Sequence, residues 1–183
     1  MKTTKNWESI AKSYAKKNRA LSRQLKRDPL TGVGNRQLLN YLMERRGPKH
    51  LKTCALVAVV DLDNFKTIND SLGHAEGDRL LKKAARALKR CCRSIDQVIR
   101  QGGDEFAIVM RKIHPEDLAL LKAQLKERLR EASEGLPYGV GFSYGIAQGL
   151  GNELSNLMDA ADKAMYRKKK LSKSYRSQMV VAA

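Results

Sequence analysis

Short apolar runs alternate along the chain with longer stretches in which apolar residues recur at helical spacing. Residues 54–60 and 106–110 are the most continuously apolar, as expected for strands buried on both faces of a sheet, and the second strand is predicted to extend to residue 111. Two further strands are predicted over 97–100 and 140–148. Apolar positions three or four residues apart predict helices, and these cover residues 3–27, 36–46, 65–72, 78–92, 115–133 and 154–170. The second helix is expected to end before Gly47-Pro48.

The order of these elements predicts an α+β fold. From residue 54 onward the order is β-α-β-β-α-β, the ferredoxin-like or palm-type sheet, with helices expected on one side of a mostly antiparallel sheet. An N-terminal helical extension, residues 1–27, precedes this domain, which we place at residues 28–175, and a tail follows at 176–183. The Lys/Ser-rich stretch after residue 170 is expected to fray, with 179–181 as an alternative edge strand.

The N-terminal helix carries a weak heptad pattern. Trp7, Tyr14 and Leu21 recur every seven residues, whereas Lys17 and Gln24 occupy the other seam positions. Two interpretations stay open, a stalk that pairs two chains or an amphipathic helix that lies on its own domain.

The composition adds a large positive charge. The 183 residues include 36 Lys and Arg against 19 Asp and Glu, a formal net charge of +17. This charge favours a polyanionic partner such as nucleotide, nucleic acid or an anionic membrane face. No run approaches the roughly 18 apolar residues of a membrane span, and residues 1–27 lack the apolar core of a secretory signal. Three cysteines without metal-ligand spacing indicate reduced packing residues, so we expect a cytoplasmic protein.

Acidic residues stand at the ends of the two most apolar runs. Asp61 follows residues 54–60, and Asp104 and Glu105 follow the pair Gly102-Gly103 just before the second run. If the two strands are neighbours, three carboxylates meet at one rim of the sheet, where their repulsion is relieved by hard cations. The sequence therefore predicts a Mg²⁺ site.

Other metal sites fit the sequence less well. A calcium loop opening at Asp61 and Asp63 fails because Lys66 stands where glycine is required and Leu72 where a bidentate Glu is required. The histidines are scattered and no cysteine pair accompanies them, which argues against zinc; they are His50, His74 and His114.

Five short segments, taken together, are more specific to one protein family than any one of them alone. They are Asp28-Pro29-Leu30-Thr31-Gly32 with Asn35-Arg36, the polar segment 61–78, Arg93-Ser94-Ile95-Asp96, the five residues 102–106, and residues 161–166 with Lys169. In this order and spacing they resemble the GGDEF domain, the diguanylate cyclase family that joins two GTP molecules into cyclic di-GMP. The resemblance covers about residues 28 to 170.

The resemblance implies a reaction between two bound nucleotides. The 3′-hydroxyl of one GTP would attack the α-phosphate of the other and release pyrophosphate. Two Mg²⁺ ions per site, with Mn²⁺ as an alternative, would neutralise the phosphate charge. Because each half-site would hold one GTP, the active form would be a homodimer.

The resemblance also implies roles for individual residues. The metal ligands would be Asp61, the Leu62 carbonyl, Asp104 and Glu105, and the base for the 3′-hydroxyl stays open between Asp104 and Glu105. Phosphates would be bound by Lys66, which we group with the catalytic residues, and by Lys169, with Lys173 standing where the family usually has Arg. Guanine would be bound by Asn69 and Asp78 in a pocket also lined by Phe65 and His74, and Gly102 and Gly103 would admit the nucleotide.

Arg93 and Asp96 match the family's inhibitory product site, at which Arg can bind guanine in a bidentate fashion. The alternative is an Arg at a helix C-terminus followed by a turn Asp. A second function stays open, a non-catalytic receptor for cyclic di-GMP or GTP. Nucleic-acid binding is not favoured, because no reader motif is present and aromatic residues make up only 5% of the chain.

Overall fold

The computed structural model describes residues 2–44 and 53–181, with side chains described over 7–44 and 53–170. The helices are α1 (Lys2–Leu25), α2 (Arg36–Glu44), α3 (Phe65–Leu72), α4 (His74–Arg90), α5 (Leu118–Glu134) and α6 (Leu154–Val181). The strands are β1 (Cys54–Leu62), β2 (Gln97–Gly102), β3 (Glu105–Ile113) and β4 (Phe142–Leu150). His50 and the predicted helix end at Gly47-Pro48 lie outside the described residues.

The four strands form one sheet in the order β2-β3-β1-β4. Each neighbouring pair is antiparallel. The crossover from β1 through α3 and α4 to β2, and the second from β3 through α5 to β4, give the ferredoxin-like order. The predicted fold class is confirmed.

Helices cover both faces of this sheet, so the prediction of helices on one side is wrong. All nine residues of β1 are buried, and successive side chains of a strand point to opposite faces. The first face packs on α4 and α5 through Leu80, Leu88, Leu125 and Leu129, and the second packs on α2 and α6 through Leu39, Leu157, Ala161 and Met165. A strand that is apolar at consecutive positions needs cover on each side.

The largest differences from the predicted helix boundaries are at the start of α4 and the end of α6. Helix α4 begins at His74 and not at residue 78, because Gly77 is a helical residue. A Cβ at Gly77 would overlap Asn69 Oδ1, so the glycine permits close packing of α4 on α3. At the other end of the chain, α6 continues to Val181. The predicted fraying after residue 170 and the alternative edge strand over 179–181 are therefore wrong.

Helix α1 exposes its apolar residues. The exposed fractions of Trp7, Tyr14 and Leu21 are 70%, 64% and 55%. The alternative of an amphipathic helix lying on its own domain is therefore wrong, since such a helix would bury these side chains. Among the described residues, no helix is long and apolar enough to cross a membrane.

The loop after α1 is fastened to strand β2. The Gly34 amide donates to Val98 O (2.9 Å) and the Arg100 amide donates to Gly34 O (2.8 Å). A Cβ at Gly34 would lie 2.5 Å from Leu38 Cδ2, 3.0 Å from Ile99 Cγ1 and 3.3 Å from Val98 O, so a glycine favours this close approach. The loop from residue 26 to residue 35 thereby joins α1 to the strand that leads into the Gly-Gly turn.

Candidate active site

The two acidic strand ends meet, as the sequence predicts. Asp61 on β1 lies opposite Glu105 on β3, and the Leu62 amide donates to Asp104 O at 3.3 Å. Residues at such paired positions have neighbouring side chains on one face of the sheet. The rim therefore contains the carboxylates of Asp61 on β1, Glu105 on β3 and Asp104 in the turn that precedes β3.

A two-residue turn, Gly103-Asp104, connects β2 to β3. Gly103 has φ +47°, a left-handed conformation that favours glycine. Gly102 has no such requirement, and a Cβ there would meet no described atom within 4 Å. The surface above the turn is open, so the protein's own packing does not require a glycine at 102.

Arg100 fixes this turn, a role that the sequence analysis missed. Its Nε donates to Gly103 O at 2.9 Å, and its Nη1 lies 3.4 Å from the carboxylate of Asp28. Asp28 also accepts hydrogen bonds from the Thr31 amide (2.8 Å) and hydroxyl (2.6 Å). Burial alone would raise the pKa of Asp28, but the Thr31 hydrogen bonds and the Arg100 charge together lower it. An Arg two residues before a Gly-Gly turn was the available sequence signal.

Asp61 is the buried acid of the rim, with 8% of its surface exposed. Lys169 Nζ on α6 donates to Asp61 Oδ1 at 2.5 Å. Burial raises the pKa of Asp61, the charges of Asp104 and Asp63 add to this, and the hydrogen bond and charge of Lys169 oppose it. A buried carboxylate under repulsion from other acids is stabilised by a nearby cation, and Lys169 supplies one.

The donor set of the rim fits Mg²⁺ in its chemistry. Carboxylate and carbonyl oxygens are the ligands that this ion takes, and they are offered by Asp61, Asp104 and Glu105. Within residues 7–44 and 53–170, no three His, Cys, Asp or Glu side chains come together closely enough to hold a metal ion. Glu105 is exposed and Asp104 is half-buried.

A second group of predicted residues lies between α3 and α4. Asn69 Oδ1 is buried and has no hydrogen-bond partner among the described residues. Phe65 is half-buried, and His74 and Asp78 are exposed on the first turns of α4. An unpaired buried acceptor costs about 1–3 kcal/mol. The arrangement therefore favours a ligand that brings a donor to Asn69.

The predicted phosphate-binding residues lie on two different helices. Lys66 is exposed in the first turn of α3, whose N-terminus has no side-chain cap from Asn64. Uncapped N–H groups at a helix start attract anions. Lys169 reaches the rim from α6. The side chain of Lys173 lies outside the described side chains.

Arg93 and Asp96 bind each other. Asp96 Oδ2 accepts from the Arg93 amide (2.9 Å) and Nε (3.0 Å), and Oδ1 accepts from Nη2 (2.9 Å). The Arg93 Nη2 also donates to Arg111 O at 3.1 Å. The Asp96 side chain is fully buried, whereas 32% of the Arg93 side chain is exposed. Asp96 thus orients Arg93, and the exposed edge available to a ligand belongs to the guanidinium.

Comparison with known proteins adds independent information. The family model for the diguanylate cyclase GGDEF domain matches residues 25–174. The probable diguanylate cyclase DgcJ of Escherichia coli (strain K12) is 37% identical over 108 residues, which are 58% of this chain and 22% of DgcJ.

Two solved structures are similar over most of the chain. The coiled coil and GGDEF domain of DgcB from Caulobacter crescentus, in complex with c-di-GMP, has a TM-score of 0.72 at 23% identity and covers 90% of this chain and 91% of that chain. The diguanylate cyclase SiaD of Pseudomonas aeruginosa, in complex with its activator SiaC, has a TM-score of 0.71 at 28% identity. The match covers 92% of this chain and 67% of that chain.

The chain spans between 13% and 34% of the length of the first curated relatives that it matches. The family match nevertheless includes all four strands, the acidic rim and the helices α3 and α4. The chain belongs to the GGDEF domain family of diguanylate cyclases.

Proposed function

We propose that this chain is an active, Mg²⁺-dependent diguanylate cyclase that condenses two GTP molecules into cyclic di-GMP and pyrophosphate. The observation that carries the proposal is the buried carboxylate of Asp61 opposite Glu105, beside a turn whose glycines leave open space above it. We propose a cytoplasmic location as well, because the substrate is GTP.

In this proposal the rim residues bind metal and accept a proton, and two lysines bind phosphate. Asp61, Asp104, Glu105 and the Leu62 carbonyl would hold two Mg²⁺ ions, which neutralise negative charge on the reacting phosphate groups. One of Asp104 and Glu105 accepts the proton of the 3′-hydroxyl as its oxygen bonds to the α-phosphorus of the other GTP. The bond between that phosphorus and the pyrophosphate oxygen breaks, and Lys66 and Lys169 bind the departing phosphates.

The α3–α4 pocket would select guanine. Asp78 can accept from guanine N1–H and the 2-amino group, and Asn69 can receive a donor at its buried oxygen. Adenine has no such pair of donors and would leave Asp78 without a partner. A site built on hydrogen bonds rejects such an analogue strongly, by roughly 10⁴-fold or more where the polar groups are fully buried. Because Asp78 is exposed in this structure, we expect a smaller preference for GTP over ATP.

The reaction needs two domains facing each other, since each binds one GTP. The exposed residues Trp7, Tyr14 and Leu21 of α1 offer an apolar stripe for pairing two chains. We therefore propose that the active form is a homodimer joined by this helix.

The direct test is an incubation of the purified chain with GTP and Mg²⁺. We expect cyclic di-GMP and pyrophosphate to form from GTP, with much less turnover of ATP. No product should form when EDTA removes the metal. A fusion that forces dimerisation should be assayed in parallel, so that weak self-association does not hide activity. A forced dimer that binds cyclic di-GMP and makes none of it over hours would contradict the proposal and favour the receptor alternative.

Product feedback at Arg93 is a second part of the proposal. Asp96 holds the guanidinium in a fixed orientation, and the cavity beside it, about 210 Å³, is lined by the cationic residues Arg27, Lys89 and Arg93. Replacing Arg93 with Ala should raise the concentration of added cyclic di-GMP that halves the initial rate by at least about tenfold, the loss of one bidentate contact. Arg130→Ala removes the same charge from an exposed position on α5 and should leave that concentration unchanged. Equal inhibition of wild type and the Arg93 variant would place the feedback elsewhere.

A further inference from the structure

Tyr138 contacts the first turn of α4 from a distant part of the chain. Its hydroxyl donates to Glu76 Oε1 at 2.6 Å, and Glu76 Oε2 accepts from Arg79 Nη1 at 2.6 Å. The Tyr138 hydrogen bond and then the Arg79 hydrogen bond lower the pKa of Glu76. Glu76 is therefore anionic at neutral pH, and the Tyr138 hydrogen bond is charge-assisted.

The backbone of Tyr138 is held in an uncommon conformation. The residue lies in the short turn Pro137–Gly139 between α5 and β4, with φ +63° and ψ +19°. This left-handed region is unfavourable for a residue with a large side chain and persists where surrounding contacts select it. About half of the Tyr138 side chain is exposed, so core packing does not explain the conformation. The hydrogen bond that the structure describes for the Tyr138 side chain is the one to Glu76.

Tyr138 reaches the first turn of α4, which has no buried residue before Gly77. The neighbouring helix α3 has no fully buried residue, although Phe65 and Ile68 pack against the core, and the corner between α3 and α4 turns at Gly73 with φ +82°. Gly77 is the first buried residue of α4. The turn before it carries His74 and Glu76, and Asp78 follows directly, so the residues proposed for guanine recognition depend on how this turn is held.

We propose that Tyr138 is a positioning residue for the guanine pocket, and that its hydrogen bond to Glu76 holds the first turn of α4 in the geometry that binds the base. This inference rests on the proposed function. Tyr138 touches none of the rim residues in the described hydrogen bonds, so its loss should weaken nucleotide binding while the chemical step proceeds at its normal rate.

The test replaces Tyr138 with Phe, which keeps the ring and removes the hydroxyl. We expect the dissociation constant of a non-hydrolysable α,β-methylene GTP analogue with Mg²⁺, measured by calorimetry, to rise about three- to tenfold, the usual range for one partly exposed bond to a charged group. The KM for GTP should rise by the same factor, with kcat within twofold. Tyr144→Phe is the matched control, because the Tyr144 hydroxyl donates to Lys126 O on α5, away from α4.

Variants of Glu76 separate positioning from a general structural role. Glu76→Gln keeps an acceptor for Tyr138 and should bind the analogue nearly as wild type does, whereas Glu76→Ala should match Tyr138→Phe. Combining Tyr138→Phe with Glu76→Ala should add no further loss, since both remove one contact. Unchanged binding by Tyr138→Phe, or a fall in kcat and melting temperature together with binding, would overturn the inference alone. Failure of the wild type to bind the analogue would overturn the proposed function and the inference with it.

Discussion

Replacing Asp61 with Asn should lower the rate of cyclic di-GMP formation by on the order of a thousandfold, the loss expected when a group that fixes charge at the reacting atoms is removed. Asn has nearly the same shape but no charge with which to hold a divalent cation. Asp61 is also the buried acid of the rim, bound to Lys169 on α6, and water cannot easily substitute for it. The measurement is the initial rate at saturating GTP and Mg²⁺.

A matched control is available on α6. Asp159→Asn removes one exposed negative charge ten residues before Lys169, about 15 Å along the helix, and should leave the rate within twofold. Burial raises the pKa of Asp61 and so disfavours its ionised form in the folded state. The neutral Asn should therefore fold, with a melting temperature close to that of the wild type. More than a tenth of normal activity in Asp61→Asn would contradict its assignment as a metal ligand.

Among the glycines of the described sheet, Gly145 should be the one whose replacement with Ala destabilises the fold most. Gly145 lies on β4 directly beneath α6, and a Cβ there would overlap the Ala161 carbonyl oxygen and the Met165 amide nitrogen. Both are backbone atoms of a packed helix, so relief requires movement of α6 as a whole. We expect a loss of about 3 kcal/mol in the free energy of unfolding, at the upper end for overpacking. The melting temperature should fall by roughly 10 °C.

Gly149→Ala tests whether the backbone contact is the cause. Gly149 lies on the same strand and also beneath α6, but a Cβ there would meet Leu157 Cδ2 at 3.0 Å, the end of a flexible side chain. This variant should lose less than about 1 kcal/mol, because the leucine can change rotamer. Since α6 also carries Lys169, the surviving fraction of folded Gly145→Ala should show reduced turnover. If the two variants are equally stable, overlap between the side chain at 145 and the backbone of α6 does not cause the loss of stability.

The parts of the fold that sequence reasoning predicted are those with a local cause. The apolar runs identified β1 and β3, and acids at their ends identified the rim where Asp61 and Glu105 are paired. The position of α3 also agrees with the structure, because glycine and polar residues bound a short apolar pattern. The roles of the site residues stay predictions until the variants are measured.

The parts that were missed depend on contacts between distant segments. Arg100 and Asp28 are 72 residues apart, and Tyr138 and Glu76 are 62 apart, so no local pattern announces either contact. The predicted start of α4 was wrong because glycine usually interrupts a helix. Gly77 lies inside the helix, where the lack of a Cβ lets α4 pack closely against Asn69. The unbroken apolar run of β1 indicates that helices pack on both faces of the sheet, but the predicted topology placed helices on one face only.

The attachment of the loop after α1 has a mechanical consequence. Gly34 shares backbone hydrogen bonds with Val98 and Arg100, and Arg100 holds the carbonyl of Gly103. A displacement of the first helix would therefore reach the Gly103-Asp104 turn through a few peptide groups at the edge of the sheet.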